Sequence, residues 1–353
     1  MKNLKIGFIL PMPTKKIVGG YKVAYEYANY LSSKGHKVSI IYDSHRGKNS
    51  KGLPNFLVYL LRDYICKTEP SWFSLSKNIE KVNLYTLENG EAFLNSFDTI
   101  IATAAETAVF VNKLKVKNKV YLIQDFENNW SLSYKNLVQT YNYNMKLIVV
   151  SKWLKNRIEG LSNKTLNYIP NGIDRNVFFD RKEKRRVHSI CMLYHLDKRK
   201  DFKTGFEVIK RIKLKYPDLI VNVFGTPKRP EGWPNWVNYT RYAKPVQVSK
   251  LMNRSTVFLC TSKKEGFGLT GLESMFCSCI FVTTDCGGIN EYASKRNSFI
   301  SKVGDTEALV SNISTVFESE EVREKIIKEE SKVIKNFDLQ KSKEKFTKVV
   351  VGL

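Results

Sequence analysis

Short continuous apolar runs alternate with segments of helical period along most of the chain. Lys5–Leu10, Lys37–Tyr42, Lys81–Leu84, Thr99–Thr103, Lys119–Gln124, Leu147–Val150 and Leu166–Ile169 have strand length and lack the alternation of a half-exposed strand. Between them, Tyr21–Ser33, Ala104–Leu114, Asn136–Tyr143 and Lys152–Leu161 carry apolar residues at helical spacing. Strands apolar on both faces, alternating with helices, predict a parallel sheet covered on both sides. The pattern breaks at Pro170-Asn171-Gly172, and Asp180 to Arg186 reads as a charged, solvated linker. Alternation then restarts with strand Ser189–Tyr194, helix Lys203–Lys215 and strand Ile220–Phe224. Strand Thr256–Cys260, helix Gly268–Phe276, strand Ile280–Thr283 and Phe299–Ser301 follow, and helices Ser319–Asn336 and Leu339–Val350 close the chain. The pattern predicts two similar α/β units with a cleft between them, and ligands at the carboxyl ends of the strands.

One segment does not fit. Phe56-Leu57-Val58-Tyr59-Leu60-Leu61, with Arg62, Tyr64 and Ile65, reads as an amphipathic helix. Its aromatic face suits a bilayer surface or the unit's own core, and both readings stay open.

Composition narrows the class. At 353 residues and 42 % hydrophobic, the chain can bury two cores. No apolar run approaches the roughly 20 residues that span a membrane. The apolar start after Lys2 is short and runs into Pro11, Pro13 and Lys15-Lys16, so a first strand is expected there and not a secretory leader. The six cysteines have no disulfide-framework spacing and read as reduced core thiols of a cytoplasmic protein. Cys277-Ser278-Cys279 lacks a second pair and nearby histidines, so a zinc site is not expected. The formal charge of +24 is shared evenly between the halves on either side of Arg175. Such a field attracts polyanions, anionic membranes or phosphorylated small molecules, unless it reflects only a lysine-rich composition.

Candidate chemistry centres on Glu265-Gly266-Phe267-Gly268-Leu269-Thr270-Gly271-Leu272-Glu273, between a strand and a helix. Glycines let backbone N–H groups approach a ligand, and the helix N-terminus suits phosphate oxygens. Carboxylates accept hydrogen bonds from vicinal hydroxyls, so one glutamate suits a sugar and the other a ribose. The structural alternative is a helix capped by Ser262 with glutamates in its first turn.

This segment resembles the E-x7-E signature of the retaining glycosyltransferases often called family 4, which have the GT-B fold. Three further segments agree in order: Gly19-Gly20 after the first strand, Ile169-Pro170-Asn171-Gly172-Ile173-Asp174 with Phe178, and Gly287-Gly288-Ile289-Asn290-Glu291. The resemblance runs from Lys5 to about Tyr292. It implies two Rossmann-like domains with parallel sheets facing a central cleft: an acceptor domain over 1–171, a donor domain over 172–336, and a helix over 337–353 that crosses back with Phe346, Val349 and Val350. It also implies that Glu273 binds ribose, that Glu265 contacts the donor sugar, and that backbone N–H groups around Gly266, Phe267, Gly268 and Leu269 hold sugar hydroxyls or the diphosphate. Gly19 and Gly20 would lie near the diphosphate. The family's arginine–lysine motif falls on Tyr194 to Asp201, which places Lys200 at the lysine with Arg199 beside it. His195 stands where arginine is usual, and Asp201 replaces a glycine. In Ile123-Gln124-Asp125-Phe126-Glu127, Gln124 stands near the position of a histidine that touches sugar in many relatives. This run, with Tyr194-His195 and Gly225 to Pro230, is weakly similar to a rhamnosyltransferase-like branch.

The resemblance therefore implies a retaining glycosyltransferase that moves a hexosyl or deoxyhexosyl group from a nucleoside-diphosphate sugar to a glycan or lipid-linked acceptor, as in bacterial surface-polysaccharide assembly. Its catalytic candidates are Glu265, Lys200 and Asp125, with Gln124 and Glu127 toward the acceptor. No Asp-x-Asp occurs, and His36, His45, His188 and His195 form no cluster, so no metal is expected. An epimerase or a phosphorylase would require acid/base carboxylates around the sugar or a free-phosphate site, and nothing in the sequence calls for either. Nucleic acid is not an expected partner, because no DNA- or RNA-binding motif occurs. Gly19-Gly20 also lacks the G-x-G-x-x-G spacing of a dinucleotide oxidoreductase. A cytoplasmic protein, peripheral at an anionic membrane face, is the expected setting.

Overall fold

The computed structural model describes residues 3–43, 54–128 and 132–352; His45 lies outside them. The chain forms two compact units, residues 1–170 with 342–353, and residues 171–341.

The first unit is built on β1 (Lys5–Leu10), β2 (Lys37–Tyr42), β3 (Glu80–Asn83), β4 (Thr99–Ala102), β5 (Asn118–Ile123), β6 (Lys146–Val149) and β7 (Leu166–Tyr168). These form one seven-stranded parallel sheet in the order β3-β2-β1-β4-β5-β6-β7. Ile6, Phe8, Ile9 and Leu10 are all fully buried, because helices cover both faces. That burial is why the strands read as unbroken apolar runs. The helices are α1 (Gly19–Ser33), α2 (Asn55–Thr68), α3 (Gly90–Asn95), α4 (Ala105–Asn112), α5 (Tyr134–Thr140) and α6 (Lys152–Glu159). α1 buries Val23, Ala24, Tyr27, Ala28 and Leu31, a stripe of helical period. Strand order reverses between β1 and β4, so their carboxyl ends at Leu10 and Ala102 flank the sheet's switch point.

The second unit contains β8 (Ser189–Tyr194), α7 (Phe202–Lys215), β9 (Ile220–Gly225), β10 (Val237–Arg241), α8 (Pro245–Asn253), β11 (Val257–Cys260), α9 (Leu269–Phe276), β12 (Ile280–Thr284), β13 (Phe299–Ser301), α10 (Thr306–Glu318) and α11 (Glu320–Val333). Its six parallel strands run β10-β9-β8-β11-β12-β13. Order reverses between β8 and β11, so Tyr194 and Cys260 end the strands at this switch point. The last helix, α12 (Leu339–Val351), carries Phe346 and Val350 fully buried, and Phe346 stacks on Tyr27 with ring centroids 3.9 Å apart.

Several boundaries differ from the sequence expectation for local reasons. β4 stops at Ala102 because the Thr103 N–H turns to the Thr107 hydroxyl, 3.0 Å away. α5 starts at Tyr134, two residues before the expected Asn136, because Ser133 caps it. α9 starts at Leu269, since Gly268 takes φ +80°, outside the helix. β10, α8 and α3 do not appear in the apolar pattern: β10 is an edge strand with only Val237 buried, and α3 has six residues. In α2 the aromatic face does not pack on the core: Phe56 is 61 %, Leu60 63 % and Tyr64 61 % exposed, while Cys66 points inward. No helix among the described residues is long and apolar enough to cross a membrane.

Candidate functional site

In the second unit the motif residues gather at the switch point between β8 and β11. The loop leaving β11 is pinned on both sides. The Glu265 N–H donates to the Cys286 carbonyl (2.7 Å), and the Gly288 N–H donates to the Glu265 carbonyl (2.8 Å). A Cβ on Gly288 would lie 2.3 Å from the Gly266 carbonyl group, so Gly287-Gly288 and Glu265-Gly266 require each other. Gly268, at φ +80°, turns the chain into α9, whose N-terminus has no side-chain cap. The Tyr292 hydroxyl donates to the Gly268 carbonyl and fixes this turn. No acidic residue lies in the first turn of α9, and the Ser262 hydroxyl donates to Glu265 Oε1 (2.7 Å) instead of capping the helix. The reading of this segment as a capped helix with glutamates in its first turn is thereby overturned.

The two glutamates have different surroundings. Glu265 is 9 % exposed and accepts both hydrogen bonds of an ion pair from Lys200 Nζ, at 2.7 and 2.8 Å. Burial alone would lower the Lys200 ammonium, but the Glu265 charge and hydrogen bonds outweigh it and hold it above the ordinary lysine value. Glu273 sits within α9 and is 6 % exposed.

Lys200 comes from the loop after β8. There Asp197 takes the Arg199 side chain on both carboxylate oxygens, at 3.0 Å to Oδ2 and 3.2 Å to Oδ1 from Nε. Asp197 also accepts the Arg199 N–H at 2.9 Å, which winds residues 198–200 into a single 3₁₀ turn. Asp201 then adopts φ +43°, ψ +47°, the left-handed region glycine favours, and its carboxylate takes the Thr204 hydroxyl. This explains how aspartate serves where the resembling family has glycine. His195 Nδ1 accepts the Asp197 N–H at 2.9 Å, so the neutral ring carries its hydrogen on Nε2 and offers a donor there. Burial first, then the Lys200 ammonium, hold this imidazole below the ordinary histidine value.

In the first unit, Gly19 and Gly20 open α1, and the Gln124 side-chain amide donates to the Gly20 carbonyl at 3.1 Å. A Cβ on Gly20 would press on that amide at 3.2 Å. Asp125 accepts the Phe126 N–H at 2.8 Å. Glu127 is 7 % exposed, and its Oε2 takes the Ala105 N–H at 2.9 Å at the start of α4. It therefore has a helix-capping role in this unit. Gly172 lies against the backbone of Leu339, and the Ile173 N–H donates to the Phe337 carbonyl, so the break after Pro170 is a close main-chain approach.

Sequence reasoning passed over Thr284, Tyr292, Cys260 and Cys286 as site residues. Thr284 donates to the Ser262 carbonyl and so supports the loop. Tyr292 follows the second glycine motif, a signal that was available. A separate cavity of about 740 Å³, lined by Lys295, Arg296, Asn312 and Lys325 among others, contains none of the motif residues. Among the described residues, no group of three His, Cys, Asp or Glu side chains is placed to hold a metal ion.

No curated protein matches the chain. Among solved structures, Anabaena HepE in complex with UDP and glucose is similar over 99 % of this chain and 100 % of that one, with 15 % identity and a TM-score of 0.75. Sucrose-phosphate synthase from Thermosynechococcus elongatus matches with 11 % identity, 99 % of each chain and a TM-score of 0.75. The lipopolysaccharide outer core galactosyltransferase WaaB in its apo form matches with 16 % identity, 99 % of each chain and a TM-score of 0.65. Residues 174–333 match the family model described as "Glycosyl transferases group 1". The chain thus has the GT-B fold, two Rossmann-like units with parallel sheets, and carries the glycosyl transferases group 1 match in its second unit.

Proposed function

We propose that the chain is a retaining glycosyltransferase of the E-x7-E type that takes its sugar from a nucleoside-diphosphate donor held by the second unit. The observation that carries this reading is the arrangement at one switch point: an uncapped helix N-terminus, a glycine-lined loop, Glu265 paired with Lys200, and Glu273 one helix turn further in. Glu273 is assigned to the ribose hydroxyls and Glu265 to the donor sugar. Gly266, Phe267, Gly268 and Leu269 offer main-chain N–H groups to the sugar or the diphosphate.

Charge bookkeeping at this site is close to neutral before donor arrives, because Lys200 faces Glu265 and Arg199 faces Asp197. The leaving diphosphate is therefore stabilised by the α9 dipole, by Lys200 shared between Glu265 and phosphate, and by the His195 Nε2–H. In the transfer, the acceptor hydroxyl oxygen bonds to the anomeric carbon as the bond to the diphosphate breaks on the same face. The hydroxyl proton passes to the departing diphosphate oxygen. This route needs no protein nucleophile and no metal. Gly19 and Gly20 are assigned to the diphosphate, and Gln124 and Asp125 to the acceptor side of the first unit. Glu127 is retained there only through its capping of α4.

HepE and WaaB are described as a UDP- and glucose-bound protein and a lipopolysaccharide galactosyltransferase respectively. By analogy we assign a hexosyl or deoxyhexosyl donor and a glycan or lipid-linked acceptor in bacterial surface-polysaccharide assembly, at the cytoplasmic face of the membrane. The exposed stripe Phe56, Leu60 and Tyr64 of α2, on a chain of formal charge +24, supports contact with an anionic bilayer. Screening nucleoside-diphosphate sugars for thermal stabilisation tests the reading, since a bound donor raises stability by mass action. If none stabilises the protein, the reading fails.

A further inference from the structure

The six-stranded sheet of the second unit has two edges, and they are finished differently. At the β10 edge Arg229 Nη1 donates to the Val237 carbonyl at 2.8 Å, so a side chain of the unit itself takes a main-chain acceptor there. At the other edge β13 pairs with β12 alone, and among the described residues no further strand lies beside it. The cavity of about 740 Å³ opens at this edge. Ser298, just ahead of β13, lines it together with Phe299 and Ile300 within the strand. Consecutive strand residues point to opposite faces, so a groove that reaches all three runs along the open edge.

Its walls come from both faces of the sheet. α10 packs on α7, and α11 packs on α9. The crossovers β8–α7–β9 and β11–α9–β12 step in opposite directions along the sheet, and right-handed crossovers then put α7 and α9 on opposite faces. The groove therefore lies between α10 and α11, with the edge of β13 as its floor.

The α11 wall is apolar, formed by Val322 and Ile326, whereas the rim carries Lys295, Arg296 and Lys325, all three exposed. The carboxylate in the lining, Glu329, is taken by Lys332. Among the described residues, none of the three rim cations is in an ion pair.

These features select one occupant. An open strand edge is matched by the alternating N–H and C=O groups of an extended peptide. Unpaired cations around it are matched by carboxylates. A second copy of this chain is disfavoured, because pairing β13 with itself about a two-fold axis brings the same cations face to face.

We propose that the β13 edge is a docking site for an acidic, extended segment of a partner protein, which adds a further strand to the sheet. Its carboxylates meet Lys295, Arg296 and Lys325, and every second side chain faces Val322 and Ile326. Docking here does not depend on what the motif loop binds.

The test uses the full chain and a fluorescein-labelled peptide of about six residues, a usual strand length, alternating glutamate and valine. Anisotropy is read at roughly 0.15 M salt, where unspecific attraction to a basic protein is screened beyond about 8 Å. One control peptide has lysine in place of glutamate. A second keeps the glutamates but has its main-chain nitrogens methylated, which retains the charge and removes the N–H donors. The acidic peptide should saturate and bind at least about tenfold more tightly than either control. Arg296→Glu combined with Lys325→Glu should weaken it at least about tenfold, with thermal unfolding unchanged because both side chains are exposed and unpaired. No saturation by the acidic peptide, or equal affinity in the double variant, overturns the site. Equal affinity for the methylated peptide overturns strand addition and leaves a groove read by charge alone, which an anionic glycan would fill as well.

Discussion

Lys200 and Glu265 lie 65 residues apart and meet as a partly buried ion pair. Lys200→Ala leaves a buried carboxylate unpaired and removes the cation assigned to the diphosphate. Turnover is expected to fall by about 10²–10³, the cost of removing one electrostatic stabiliser. Steady-state kinetics check this, and turnover within a factor of two of the parent would take Lys200 out of the chemistry. His195 is expected to act neutral. Its pKa is held below the ordinary histidine value, so the neutral ring stays the major form as pH falls from 8 to 6.5. His195→Ala should therefore weaken donor binding by the same factor at both pH values. A penalty that grows toward pH 6.5 would mean that the imidazolium binds. These residues were legible one by one, through the resemblance of two separate segments to family motifs. Their partners were not, because the loops of two strands meet only once the sheet order is known. Asp201 shows the limit: it departs from the family motif, yet its left-handed backbone does what glycine does.

At the scale of elements, tight main-chain contacts explain the glycine motifs better than composition can. Gly288→Ala would drive a methyl group into the backbone at Gly266 and Phe267. The expected loss is about 1–3 kcal/mol, with weaker donor binding, read by urea unfolding and donor titration. Glu330 of α11 gives a separate test. Burial raises its carboxyl well above the ordinary glutamate value, despite the Phe281 N–H bonded to Oε1. A folded-state pKa above the unfolded one gives stability that is full below the unfolded value and declines as pH rises through the folded one. Glu330→Gln should be the more stable protein at pH 8, and its advantage should shrink toward pH 5; a pH-independent difference would contradict this. The α2 stripe makes a third prediction. Leu60→Glu should lower sedimentation with anionic vesicles, with no change on zwitterionic ones. β10 was invisible to a search for apolar runs because an edge strand buries one face, whereas Pro245 at the first turn of α8 was a readable start signal.

For the whole molecule, the alternation of apolar strands and helices was enough to give two parallel-sheet units. Strand order was not, since periodicity does not say which strand neighbours which. That order matters, because it brings the ends of β8 and β11 together and so creates the site. The central claim is that this site binds a nucleoside-diphosphate sugar through Glu273. The direct measurement is calorimetric titration of nucleoside-diphosphate sugars into the intact chain and into Glu273→Ala, with unliganded unfolding as the control for folding. A donor that binds the parent, and binds the folded variant at least about tenfold more weakly, is the predicted result. Equal affinity in the two proteins, or no binding by any donor, would contradict it.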